Sequence, residues 1–303
     1  MTIALLITGA TGNQGGAVVN SLIAQDGDVE ILAVTRNTDS GSAQKLAKKS
    51  PKIKLVQGDL DDPATIFDNA KKVTSLPIWG VYSVQAMMGK GGVEGEERQG
   101  KALIDEAIKQ HVEYFVYSSV DRGGDASTDN PTNIPHFVSK HRIEQHLFEK
   151  TKDGAMKWTV LRPVFFLDNI APNFLGKVTV TAWDAYLRGK PLQVVAVSDI
   201  GHFAALAFLQ PDRLRNQCLS LAGDELTFET FSKKLKSKTG KNPPTTYRII
   251  VYIIMWMSKE LSTMFQWFYD HGYGADIAKL KKMHPGLKDF DRWLEEDSAY
   301  SKT

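Results

Sequence analysis

The most constraining feature of the chain is a glycine-rich segment near its start, Gly9-Ala10-Thr11-Gly12-Asn13-Gln14-Gly15-Gly16. It directly follows Ile3–Thr8, a continuous apolar run typical of a strand buried on both faces. It directly precedes Ala17–Ala24, whose apolar stripe predicts a helix. A strand, a glycine-rich turn and a helix in this order predict a dinucleotide-binding loop. A glycine-rich turn without a ligand is the alternative.

The loop has the spacing GxxGxxG rather than GxGxxG, but its glycines have similar structural roles. Gly9 permits the tight turn, Gly12 lets the backbone approach a pyrophosphate, and Gly15 allows the helix to pack closely on the strand. The helix N-terminus then presents free N–H groups and a partial positive charge to the phosphates.

Short apolar runs alternate with helical patterns through the first half of the chain, which is typical of a parallel sheet with crossover helices. We therefore expect an α/β fold, a Rossmann-type doubly wound parallel sheet. The predicted domains are a dinucleotide-binding domain over 1–163, to which a strand near 217–221 returns, and a smaller, mostly helical domain over 164–303 for a substrate or partner.

Two polar residues that follow later strands indicate which dinucleotide the loop would bind. Arg36 follows the second predicted strand, where an acid usually holds the ribose 2′-hydroxyl of NAD. An arginine there suits the 2′-phosphate of NADP, although a solvated arginine is the alternative. Asp59 follows the third strand and either accepts from the adenine amino group or caps a helix that begins at Pro63. NADP(H) is the predicted cofactor.

Charge and cysteine content exclude several other classes. The net charge of +2 predicts no direct nucleic-acid binding, and the single Cys218 excludes an internal disulfide and a cysteine-built metal site. No metal site is predicted.

The apolar run Ile249–Met257 is shorter than the roughly 20 residues of a membrane span, so we expect no membrane segment. We expect a cytoplasmic location, and a nuclear location is left open. The acidic stretch Glu94–Glu97 predicts a solvated helix N-terminus.

Short-chain dehydrogenases use a Tyr-x-x-x-Lys pair on the helix after the fifth strand, together with a serine from the strand end. Here Lys140 stands in the lysine position, but His136 replaces the tyrosine, and Ser118 is the strand-end serine. The only literal Tyr-x-x-x-Lys begins at Tyr186. We interpret it as a false match, because Gly189 and Pro191 would break the helix there.

Several motifs together resemble the NmrA-like family of atypical short-chain dehydrogenases. They are the glycine-rich loop, Arg36, the Gly58-Asp59-Leu60 turn, His136-Phe137-x-x-Lys140, Leu161–Asn169, Val197–Gly201 and Asp291–Leu294. The resemblance spans nearly the whole chain and is closest to the branch of the human NADP(H) redox sensor, which also has histidine at the tyrosine position. The apolar segment 249–268 matches no motif and is either core, a lid or a partner groove.

The resemblance implies which residues bind the cofactor. The loop is assigned to the pyrophosphate, and Arg36 to the 2′-phosphate. Asp59 and Leu60 are assigned to the adenine. Ser83, Lys140 and Val164–Phe166 are assigned to the nicotinamide and its ribose. The implied cofactor-binding residues are Gly9, Thr11, Gly12, Asn13, Gln14, Gly15, Arg36, Asp59, Leu60, Ser83, Lys140, Val164, Phe165 and Phe166.

Two functions remain open at this point. The first is an NADP(H)-binding redox sensor or regulator that acts through a protein partner. The alternative is an NADPH-dependent reductase of a small carbonyl, quinone or conjugated substrate, with Lys140 or His136 supplying the proton and Ser118 or Ser119 orienting the carbonyl. Homodimerisation is left open as well.

Overall fold

The computed structural model describes residues 2–86 and 91–300 and divides the chain into two compact units. The sheet unit comprises Met1–Ser119, Val138–Arg162 and Ile200–Leu219. The second unit comprises Val120–Phe137, Pro163–Asp199 and Ser220–Thr303. The chain passes between the units several times, and Ile200–Leu219 returns to the sheet unit.

The strands are β1 (Ile3–Ile7), β2 (Val29–Thr35), β3 (Ile53–Gln57), β4 (Ile78–Ser83), β5 (Tyr114–Ser118), β6 (Lys157–Pro163), β7 (Phe165–Phe166), β8 (Leu192–Val195), β9 (Gln217–Leu221) and β10 (Asp224–Leu226). The helices are α1 (Asn13–Ala24), α2 (Gly41–Ala47), α3 (Pro63–Val73), α4 (Gly92–Lys109), α5 (Pro135–Thr151), α6 (Phe174–Leu187), α7 (Val197–Leu209), α8 (Phe228–Thr239), α9 (Arg248–Met257), α10 (Lys259–Asp270), α11 (Ile277–Met283) and α12 (Phe290–Glu296).

The sheet unit is built on strands in the order β3-β2-β1-β4-β5-β6-β9. The neighbouring pairs from β3 to β6 are parallel. All five residues of β5 are buried, as expected of a central strand covered on both faces. The strand order reverses at β1, which lies between β2 and β4, so the loop after β1 stands at a topological switch point. The predicted doubly wound sheet is confirmed.

The second unit combines a small sheet with helices. Its strands run in the order β10-β8-β7, with β8 antiparallel to β10 and parallel to β7. An aromatic core fills this unit, in which the Trp183 and Phe231 rings stack at 5.0 Å. Among the described residues, no helix has both the length and the apolar character needed to cross a membrane.

Candidate functional site

The glycine-rich loop forms a tight turn that leads directly into α1. Gly9 has φ +59°, in the left-handed region that favours glycine, and its carbonyl accepts the N–H of Gly12 at 2.9 Å. Gly12 precedes α1 with an extended backbone and offers no capping side chain. Thr11, Gly12 and Asn13 are exposed. The first turn of α1 therefore presents backbone N–H groups to an outside acceptor.

Gly15 brings α1 close to the end of β1. A Cβ at this position would lie 2.3 Å from the Gly9 carbonyl oxygen and 2.6 Å from that of Thr8, so no other residue fits. Gly16, the next residue, would place a Cβ 3.4 Å from the Ala10 oxygen, an ordinary contact. The close approach that the sequence predicts is therefore present at Gly15.

Hydrogen bonds join the carboxyl ends of neighbouring strands around this loop. The Thr8 hydroxyl donates to the Tyr82 carbonyl at 3.0 Å and accepts the Val84 N–H at 2.9 Å. On the other side of β1, the Gly58 N–H donates to the Thr35 carbonyl at 2.9 Å. The ends of β1 to β4 thus form one edge, which carries the loop, Arg36, Asp59 and Ser83.

The two residues assigned to the adenosine end differ in their surroundings. Arg36 is exposed and has no ion-pair partner within residues 2–86 and 91–300. Asp59 is also exposed and accepts the Asp61 N–H at 3.0 Å. Asp62, not Asp59, caps α3 by accepting the Thr65 N–H at 3.2 Å, so the helix-cap alternative for Asp59 is wrong.

Gln14 connects the loop to the middle of the sheet. Its side-chain oxygen accepts the Ser118 hydroxyl at 2.6 Å, and the Tyr82 hydroxyl lies 3.5 Å away. Burial raises the pKa of Tyr82 far above its usual value, so this phenol stays protonated. Ser83 is fully buried and accepts the Gln85 side-chain N–H at 2.8 Å. The hydrogen bond between Ser118 and Gln14 therefore occupies both the Ser118 proton and the Gln14 side-chain oxygen.

Lys140, the predicted ribose-binding lysine, forms an ion pair with Glu96 of α4. Its Nζ lies 2.9 Å from Glu96 Oε1, and the Ser139 hydroxyl donates to Glu96 Oε2 at 2.6 Å. The Glu96 side chain has no exposed surface, and that of Lys140 is 13% exposed. The expectation that Glu96 is solvated is wrong.

The position of Glu96 follows from the helical period of α4. It lies one turn before Gly100 and two turns before Leu103, both of which are buried. At Gly100 a Cβ would lie 2.6 Å from Ile143 Cδ1, so α4 and α5 approach closely there. The spacing of Glu96 from Gly100 was the sequence signal for this burial.

A second buried network lies at the end of β5. The Ser119 hydroxyl donates to Glu144, whose carboxylate forms an ion pair with Arg162 at 2.6 Å. Both charged side chains are almost fully buried. Because its proton is held by Glu144, Ser119 is poorly placed to donate to a substrate, and its contacts are those of a structural residue.

His136 and Lys140 share α5, but the division between the units falls after Phe137. Within the second unit, His136 Nδ1 lies 2.6 Å from Glu260 Oε1 of α10. His136 is 7% exposed, and its imidazole contacts the Phe137 ring edge-on at 4.7 Å. Glu260, which the sequence did not single out, orients this ring. Because a carboxylate oxygen accepts, Nδ1 is the nitrogen that donates in this contact.

The segment Val164–Phe166 belongs to the second unit. Val164 is buried and donates its N–H to the Leu221 carbonyl at 3.1 Å. The Phe165 ring lies in the aromatic core, whereas Phe166 faces the opposite side of β7 and is half-buried. The Phe165 side chain is therefore committed to packing.

The literal Tyr-x-x-x-Lys does not lie on one helix. Helix α6 ends at Leu187, one residue after Tyr186, and Arg188 and Gly189 both have positive φ. Lys190 Nζ donates to the Tyr269 carbonyl at 2.6 Å and lies 4.1 Å from the centre of the Tyr269 ring. Lys190 thus has a packing role within the second unit.

Comparison with known proteins gives the chain its family. The model of the NmrA-like family matches residues 1–294. The NmrA-like family domain-containing oxidoreductase hkm9 of Aspergillus hancockii is 27% identical over 260 residues, covering 78% of this chain and 72% of the relative.

Two solved structures share the fold. Citrobacter sp. triphenylmethane reductase, crystallised with NADP(H), aligns with a TM-score of 0.72 at 16% identity over 97% of this chain and 99% of that chain. NmrA, described as a negative transcriptional regulator, aligns with a TM-score of 0.68 at 16% identity over 98% of this chain and 95% of that chain. The resemblance carried by the motifs is confirmed, and the chain belongs to the NmrA-like family.

Proposed function

We propose that this protein binds NADP(H) on its sheet unit. The observation that carries the proposal is the exposed N-terminus of α1, which lacks a capping side chain and stands where the strand order reverses. The tight turn at Gly9 and the absence of space beside Gly15 fit a loop that lies close to a pyrophosphate. The triphenylmethane reductase that shares the fold was crystallised with NADP(H).

Arg36 supports the phosphorylated form of the cofactor. Its guanidinium is exposed at the end of β2 and is not engaged by an acid of the described chain, so its donors are available to a 2′-phosphate. Asp59 and Leu60, at the end of β3, would lie beside the adenine. Val164, Phe165 and Phe166 belong to the second unit, and their assignment to the nicotinamide side stays a prediction of the family resemblance.

We infer a reductase as the activity that the site supports best. The bound nicotinamide supplies the hydride in such a reaction. Lys140 forms an ion pair with Glu96, and its ammonium has three N–H donors with which it can bind the ribose hydroxyls and donate to a carbonyl oxygen. The Ser118 hydroxyl donates to the Gln14 side-chain oxygen at 2.6 Å, so Lys140 is the donor on which this proposal rests. The oxidoreductase name of the Aspergillus relative agrees with this proposal.

A redox sensor is the second candidate, and it rests on His136 in place of the tyrosine acid. The His136 ring is held by Glu260 and is largely shielded from solvent. NmrA, which shares the fold, is described as a transcriptional regulator. A sensor requires that NADP and NADPH bind two states of the protein with different affinities. A cytoplasmic or nuclear location and a regulatory protein partner belong to this proposal.

Calorimetric titration with NADP, NADPH, NAD and NADH tests the cofactor, and NADPH oxidation with quinones and aldehydes tests the reductase. We expect binding of both phosphorylated forms, and turnover that falls at least about tenfold in Lys140→Ala. Lys150→Ala, an exposed lysine on the same helix, is the control and should match the wild type. Failure to bind any nucleotide would overturn the proposal. A large affinity gap between NADP and NADPH without turnover would replace the reductase by the sensor.

A further inference from the structure

Helix α9 presents a row of large apolar side chains to solvent. Of the exposed large hydrophobic residues in the described chain, most lie in this one segment. We name as the α9 face the residues Tyr247, Ile249, Tyr252, Ile253, Trp256 and Met257. Trp256 is 85% exposed and Met257 is 74% exposed, values far above those of the core. Ile249, Tyr252, Ile253 and Trp256 are spaced by three and four residues, which places them along one side of the helix. Met257 follows Ile253 by one turn on the same side, and Tyr247 lies directly before the helix.

The opposite side of α9 is firmly packed. Val251 and Met255 are buried in the aromatic core of the second unit. Arg248 forms an ion pair with Asp184 of α6 at 2.6 Å. Tyr252, at the edge of the α9 face, also contacts the Tyr186 ring edge-on at 6.1 Å. The helix is therefore anchored through one side, and the exposure of the other is a property of the folded unit.

The charges around the face argue against an acidic partner or an anionic lipid surface. No charged residue stands between Arg248 and Lys259. Arg248 is already paired with Asp184, so of the two flanking cations only Lys259 has no ion pair within the described residues. Helices that bind anionic lipid carry several lysines and arginines on the polar side of their apolar face. The face is instead uncharged, so it can meet an identical face without opposing like charges.

The area of the face matches the requirement of a stable dimer. Three of the six side chains are aromatic, and a large aromatic side chain buries about 150–250 Å², so the exposed parts of the whole face offer about 700 Å² per protomer. Two copies would bury about 1,400 Å², within the range of about 1,200–2,000 Å² for specific protein interfaces. We propose that the α9 face joins two copies of this chain about a two-fold axis. In an antiparallel helix pair, Ile253 at the middle of the row lies near the axis and meets its own counterpart.

Sedimentation equilibrium of the full-length protein tests this proposal. The wild type should sediment at about twice 33.7 kDa at micromolar concentration. Because a substitution acts twice in a symmetric dimer, we expect Trp256→Glu and Ile253→Glu each to weaken the dimer at least about a hundredfold. Leu175→Glu, at a residue 71% exposed near the start of α6, is the matched control and should leave the dimer intact.

A crosslinking experiment keeps the proposal testable if the glutamate variants fold poorly. Ile253→Cys should form an intermolecular disulfide on mild oxidation, and Leu175→Cys should not. A wild type that is monomeric at 100-fold higher concentration, or a dimer that survives both glutamate substitutions, would overturn the proposal. Flotation of a monomer with vesicles of phosphatidylcholine and phosphatidylserine would assign the face to a lipid surface instead.

Discussion

The fully buried carboxylate of Glu96 lies 2.9 Å from the ammonium of Lys140 and also accepts the Ser139 hydroxyl. One acid from α4 thus neutralises and orients the lysine that is proposed to bind the cofactor ribose. The close approach of the two helices at Gly100 makes this contact possible, since a larger residue there would clash with Ile143.

Replacement of Glu96 should destabilise the protein, because it leaves the largely buried ammonium of Lys140 without its counter-charge. We expect Glu96→Gln to lower the free energy of unfolding by about 2–3 kcal/mol. Urea denaturation followed by circular dichroism measures the change. Glu94→Gln, an exposed position in the first turn of the same helix, should change it by less than about 0.5 kcal/mol. Equal effects of the two substitutions would show that the ion pair contributes little.

Alanine substitutions at the adjacent glycines Gly15 and Gly16 should show whether a clash with the loop backbone, and not any added methyl group, prevents cofactor binding. At Gly15 a methyl group would lie 2.3 Å from the Gly9 oxygen, so Gly15→Ala must displace the loop from α1. We expect its affinity for NADPH to fall at least about a hundredfold. At Gly16 the nearest atom lies 3.4 Å away, and Gly16→Ala should bind normally. Calorimetric titration of both variants gives the answer, and unchanged binding by Gly15→Ala would contradict the loop assignment.

Arg36 should determine the choice between phosphorylated and unphosphorylated cofactor. Removal of a charge-assisted contact to the 2′-phosphate costs about 1.5–3 kcal/mol, so Arg36→Ala should weaken NADPH binding by about 10- to 100-fold. NADH lacks this phosphate, and its affinity should be unchanged. Lys45→Ala, an exposed cation on α2, is the control for general electrostatic attraction. Equal losses for NADPH and NADH would place Arg36 away from the 2′-phosphate.

Asp168 should make the stability of the protein depend on pH. Burial raises the pKa of this carboxyl, which accepts the Val197 N–H at 3.0 Å. A raised pKa means that the native state binds the proton more tightly than the unfolded state. Its contribution to stability is therefore present at low pH and is lost as the pH rises from the unfolded value of 3.8 through the native one.

Denaturation at several pH values tests this sign. The difference in free energy of unfolding between the wild type and Asp168→Asn should move in favour of the variant as the pH rises, because asparagine keeps an acceptor for Val197 without a charge. Asp153→Asn, at an exposed position, should show a much smaller trend. A trend in the opposite direction at Asp168 would show that its hydrogen bond outweighs its burial.

Much of the sheet unit follows from local sequence patterns. Ile3–Thr8 predicts a buried strand, and the observed β1 covers Ile3–Ile7. The apolar runs Val29–Thr35, Ile53–Gln57 and Tyr114–Ser118 predict the second, third and fifth strands, and they agree with β2, β3 and β5. Helix α3 begins at Pro63, as the helix-cap alternative for Asp59 implies, but its cap is Asp62. Strand and helix periods are encoded by neighbouring residues, so these elements are predictable without knowledge of the fold.

The sequence by itself determined the family, the alternation of strands and helices, and the loop at the end of β1, because each depends on residues adjacent along the chain. Only the tertiary structure decided which acid binds Lys140, that Glu260 holds His136, and that α9 exposes one side while it buries the other. Such contacts join residues that are 44 to 124 positions apart. The neighbouring residues in the sequence do not show which partner a polar helix residue will have, because its burial depends on which helix packs against it.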